Sequence, residues 1–122
     1  MALKTYKELK VWQKSMDLTV EIYRLVKLLP KFEIYALSDQ MRRAVVSIPS
    51  NIAEGYGRNS TKEFIQFLTI ARGSQLELET QLQIYLRLEY FSETEVETVL
   101  HLCTEINKML NVLIKKLAEG DR

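Results

Sequence analysis

At 122 residues and 14.3 kDa the chain has the length of one domain, and folding it buries near two thirds of its extended surface, so no disulfide or metal staple is required. Apolar residues make up 47% and charged ones 27%, with only four Gly and two Pro, a balance that favours long helices over many short strands. The single cysteine, Cys103, excludes an intrachain disulfide. The start MALKTYKELKV has no apolar leader, and no apolar run approaches the ~20 residues of a membrane span, so a cytoplasmic protein with no membrane partner is expected. The net charge of +1 hides an asymmetry: residues 1–62 carry 11 Lys/Arg against 6 Asp/Glu, and residues 63–122 carry 6 against 10. The two parts can attract each other within the fold, or the basic part can face a polyanion.

Four segments have helical periodicity, and each boundary has a local cause. The first helix spans about 9–29 and stops before Pro30. The second spans about 37–56, with Ser38 or Asp39 near its start and Gly55 and Gly57 permitting positive φ at its end. Pro49 lies inside it and predicts a kink or a split into two short helices. Ser60 and Glu63 form a capping box for a third helix at about 60–89, and Ser92 and Glu95 another for a fourth at about 93–117, ending near Gly120. Short connections favour antiparallel neighbours. The expected fold is all-α, one domain over residues 1–122, an up-down-up-down four-helix bundle.

The fourth helix projects a single apolar stripe, from Val96 through Cys103 and Ile106 to Leu117, with charge opposite. On the first helix the uncharged arc covers about 220°, from Leu25, Leu18, Val11 and Ile22 round to Trp12, Met16 and Val20, where a core-facing stripe needs about 100° or somewhat more. The third adds a flank of Ile70, Ile84 and Leu88 to its own stripe. Val11, Leu18, Ile22, Leu25, Ile70, Ile84 and Leu88 are therefore candidate contacts with another copy of the chain. Cover by loops or by the first eight residues is the alternative, and full enclosure of the first four in one chain removes their argument.

Catalytic inventory is thin. His101 and Cys103 lie two apart on a helix and point different ways, so no zinc site or Cys/His nucleophile pair is expected. A di-iron bundle needs Glu-x-x-His pairs that are absent, and Gly55-Tyr56-Gly57 reads as a helix stop rather than a phosphate loop. No enzyme activity and no cofactor are expected. Glu77 projects among Ile70, Ile84 and Leu88 and so invites a buried partner, for which Arg43 is available. Arg42, Arg43, Arg58, Lys62 and Arg72 form a cationic set from the second helix, the turn and the third helix. They suit either phosphate binding or a solvated face with internal ion pairs.

The stretch SIPSNIAEGYGRNSTKEFIQFLTIARGSQLELETQL at 47–82, with LKVWQKSMDL at 9–18 and LSDQMRRAVVSI at 37–48, resembles the bacterial four-helix-bundle proteins encoded in intervening sequences of large-subunit (23S) ribosomal RNA genes. That resemblance implies a small helical bundle without known catalytic activity. The chain is also similar to the accessory variability proteins of diversity-generating retroelements, which form pentameric barrels, bind nucleic acid and partner a reverse transcriptase. This second likeness implies a homo-oligomer of five. The resulting expectation is a non-enzymatic, ring-forming protein that binds RNA through the cationic set, with a scaffold that recruits a protein partner as the alternative.

Overall fold

A computed structural model describes residues 4–120, the side chain of Ile34 apart. They form four α-helices: α1 (Lys10–Leu25), α2 (Ile34–Tyr56), α3 (Thr61–Arg87) and α4 (Glu93–Ala118), with 3-10 turns Tyr6–Glu8 and Val26–Leu28 flanking α1. Each helix packs on two others in a closed cycle: α1 on α2 and α4, α3 on α2 and α4. Consecutive helices meet in reverse order. Gly55 backs onto Phe64 and Phe67 while Ser47 meets Ser74 (Oγ to Oγ 2.8 Å). Tyr85 meets Phe91 edge to face while Arg72 reaches Asn111, and Lys14 pairs with Glu105. The core is mostly apolar, with Leu18, Ile22, Met41, Ile48, Ile52, Leu68, Leu78, Leu82, Ile106 and Leu110 sealed from solvent, and it also encloses Ser15, Ser38 and Gln75.

Helix boundaries follow the capping chemistry where it is complete. At α4 the Ser92 hydroxyl accepts from Glu95 N–H while the Glu95 carboxylate accepts from Ser92 N–H. At α3 only half of the expected box is present: the Ser60 hydroxyl accepts from Glu63 N–H, while the Glu63 carboxylate approaches Arg58 (4.0 Å). The start of α2 departs from expectation: it begins at Ile34, with Glu33 as its cap. Ser38 instead sits buried one turn in, its hydroxyl without a partner among the described residues. Half-buried Leu37 packs against the core, and that burial carries the helix past the polar residues. At the other end of α1 the last turn tightens to 3-10 before Pro30. Pro49 is buried within α2, which runs through it as one helix rather than two.

Two glycine expectations change. Gly57 closes α2 with an ordinary φ of −72°, and Gly55 lies inside the helix, where space and not φ requires it: a Cβ there would sit 2.6 Å from Phe67 Cβ. The left-handed residues at helix ends are instead Gly120, at φ 90° after α4, where a stop is expected, and Glu89, at φ 61° after α3. Glu89 is the unexpected one. It completes a Schellman motif, with Tyr90 N–H donating to Tyr85 C=O (2.9 Å) and Glu89 N–H to Leu86 C=O (3.0 Å).

The first helix needs correction. Val11, Leu18, Ile22 and Leu25 are 0–5% exposed, enclosed by the chain's own α2 and α4, so they are not available to another copy. The wide arc is really two stripes. One faces the core; the other, Met16, Val20 and Tyr23, points outward and is 40–50% exposed. On α3 the flank Ile70, Ile84 and Leu88 is exposed, at 48–53%.

Gly55→Ala is expected to cost about 2 kcal/mol, because both Cβ positions are fixed by backbone. Glu89→Gly is expected to gain about 1 kcal/mol by removing the left-handed penalty of an L side chain. Urea unfolding of the two variants checks both signs.

Candidate nucleic-acid interface

The five cationic residues do not form one site. Arg42 lies over the Tyr23 ring, 5.7 Å from its centroid, in the α1/α2 groove, and beside it Arg43 pairs with Asp39 of its own helix (3.1 Å). Arg58 is about 24 Å further along at about 1.5 Å rise per residue. It pairs with Glu54 (2.9 Å), approaches Glu63 (4.0 Å) and lies over Phe67 (4.9 Å). Lys62 is exposed in the first turn of α3. Arg72 donates to Asn111 Oδ1 (3.0 Å) and so belongs to the α3/α4 side, across the bundle from Arg42. Two of these arginines are drawn toward carboxylates one helical turn away, a spacing the sequence also contains.

Positive charge gathers elsewhere. The start of α1, the end of α2, the start of α3 and the end of α4 share one end of the bundle. The half built from residues 4–17, 46–74 and 106–120 carries ten Lys/Arg against five Asp/Glu, and the half built from 18–45 and 75–105 carries six against ten. Lys7, Lys10, Lys62, Lys108, Lys115 and Lys116 are exposed at the basic end, and among the described residues no carboxylate lies within ion-pair distance of them. Lys14, by contrast, pairs with Glu105 (3.6 Å). Dividing the charges at the middle of the chain concealed this, because α4 returns its lysines to where α1 begins. The short connections carried the signal.

The remaining sequence candidates take plain positions. Glu77 is exposed rather than buried, and Gln81 Nε2 approaches it at 3.5 Å; Arg43 has turned to Asp39 instead. Ile70 and Ile84 stand in water beside it, so no burial forces a partner on Glu77. His101 is exposed, with Nε2 3.4 Å from Glu105 Oε1, and does not meet buried Cys103. No group of three or more His, Cys, Asp and Glu among the described residues is placed to hold a metal ion. None of their helices is long and apolar enough to cross a membrane.

Residues 7–112 match the family model of the 23S rRNA-intervening sequence protein. The chain belongs to that family. A solved structure from Bacteroides thetaiotaomicron VPI-5482, a protein with unknown function from the S23 ribosomal protein family, is 35% identical. The alignment covers 86% of this chain and 95% of that one, with a TM-score of 0.79. No curated protein matches. Membership and the four-helix fold thus agree with the blocks at 9–18, 37–48 and 47–82.

In this family member the lone thiol is a core group. Burial pushes Cys103 up to about 12 from 9.0; a hydrogen bond with the Gln75 side chain opposes the shift, and Glu79 adds to it. Between those values the unfolded chain releases the Cys103 proton while the folded chain keeps it, so stability falls as pH rises. Tyr85, raised by burial and then by Glu33, acts in the same direction. Urea unfolding from about pH 8 to about pH 11 is expected to show this decline, with a shallower slope in Cys103→Ala.

Proposed function

We propose that the protein acts by binding rather than catalysis, in the cytoplasm, as a self-associating module that holds RNA against the basic end of its bundle. The observation that carries this reading is the gathering, from three helices at one end, of exposed lysines without carboxylate partners among the described residues. Ammonium groups so placed neutralise phosphates and release counterions, which gives affinity without sequence specificity. RNA is the preferred polyanion because of the family's link to ribosomal RNA genes. The basic end takes over the role that the dispersed Arg42, Arg43, Arg58 and Arg72 cannot fill as one site; Lys62 is common to both sets.

Self-association rests on the two outward stripes. Met16, Val20 and Tyr23, with Val46 of α2 on the same side, form one; Ile70, Ile84 and Leu88 of α3 form the other. Arg42 borders the first and Glu77 lies within the second, so the charges are complementary as well. Because the stripes are different surfaces of one chain, a contact between them is heterologous, and such a contact closes into a ring when the rotation from copy to copy returns to its start. The order of five is taken from the resemblance, read in the sequence alone, to the accessory variability proteins.

Binding to a fragment of structured ribosomal RNA tests the interface. The charge reversals Lys10→Glu, Lys108→Glu and Lys116→Glu combined are expected to weaken it more than tenfold and to flatten the salt dependence, by about one unit of slope for each phosphate left without its ammonium partner. Arg42→Ala with Arg43→Ala is expected to change it less than twofold; the opposite pattern moves the interface to the arginines. Sedimentation velocity tests the assembly. Val20→Asp or Ile84→Asp is expected to yield monomer from a wild-type ring, and a monomeric wild type at micromolar concentration removes the ring.

A further inference from the structure

Between the start of α1 and the end of α4 runs an open groove of about 460 Å³. Its apolar side chains are Leu9, Val11, Met109, Val112 and Leu113, and Lys10, Lys108 and Lys116 line it with them. Val112 is 53% exposed, so the apolar surface is presented to solvent rather than closed into the core. The three lysines are exposed, and among the described residues none has a carboxylate in ion-pair range. An apolar strip among ammonium groups asks for a ligand that carries both negative charge and a flat apolar surface. A purely ionic ligand leaves the strip wet, and a purely apolar one leaves the cations unused.

Resting on the RNA reading above, we infer that this groove takes an unpaired nucleobase, with the flanking phosphates on Lys10, Lys108 and Lys116, so that the basic end selects single-stranded RNA over duplex. A duplex offers the same lysines its phosphates but keeps its base faces stacked and its edges in grooves that side chains reach poorly. A single strand can turn a base outward and cover apolar surface with it. Base contacts of this kind tolerate any sequence, since every base has an apolar face. The groove is therefore a selector of strand state, not of sequence.

The test uses the whole chain and three fluorescently labelled probes of equal phosphate number: a single-stranded uridine oligonucleotide, an RNA duplex, and a strand with abasic sites in place of its bases. The single strand is expected to bind at least about fivefold more tightly than the duplex or the abasic strand, the gain from covering roughly 40 Å² of apolar groove surface with one base. In Met109→Gln with Val112→Asn, which keeps every charge, the single strand is expected to fall to the duplex level while duplex affinity stays unchanged. Circular dichroism and sedimentation of that variant check fold and assembly. Equal binding of single strand and duplex by the wild type overturns the inference, as does a preference that survives in the variant. Loss of self-association in the variant also overturns it, because the groove then belongs to a contact between copies. If no probe binds at all, the RNA reading of the basic end fails, an outcome distinct from loss of the strand preference alone.

Discussion

Short connections are the constraint on which the other features depend. α2 gives way to α3 within four residues and α3 to α4 within five, so consecutive helices must fold back on each other. Four helix termini then share each end of the bundle, and charges far apart in the chain become neighbours. Lys10 and Lys116 line one groove for this reason. The separation of charge between the ends is a consequence of topology acting on a sequence whose total charge is near neutral. Antiparallel helix dipoles largely cancel, leaving the side-chain charges to set the field at each end.

The fold was legible where a residue's local chemistry and its burial agree. Ser92 with Glu95 is such a case, since capping and apolar periodicity both place a helix start there. α2 was less legible, because Ser38 has the chemistry of a cap yet lies in a register where burial carries the helix past it. Gly55 was legible as a special position for the wrong reason: only packing against Phe64 and Phe67 shows that its missing side chain, not its φ, is what matters. Glu89 gave no signal at all, because a charged residue in the left-handed region is uncommon and tertiary geometry alone places it there.

The candidate site was legible only in part. Residue type marked the arginines, but the decisive quantity is which cations keep their charge unpaired. Arg43 and Arg58 each have a carboxylate four residues before them, and i,i+4 pairing turns them along their own helix. The lysines of the basic end have no such neighbour in range among the described residues, and their convergence appears only once four helix ends are brought together. The wide apolar arc of α1 misled in a similar way. Periodicity measured its width correctly, yet width does not say which part faces inward, and the chain encloses Leu18 and Ile22 while leaving Val20 and Tyr23 outside.

Lysine rather than arginine at the basic end fits a surface that holds phosphate without reading sequence. An ammonium is a hydrated point charge on a flexible stem, so it follows a backbone of variable geometry, whereas a guanidinium favours planar, bidentate partners. Such interactions are individually weak and screened over about 8 Å at physiological salt. Under the proposed assembly each copy adds its own basic end, and a strand held by one copy meets the next at high effective concentration. Useful affinity then needs no single strong site, only several modest ones at fixed spacing. In the proposed assembly the outward stripes of α1 and α3 and the lysines of the basic end would be one device: the stripes would determine how many cationic ends a strand can reach, and the lysines how firmly each one holds.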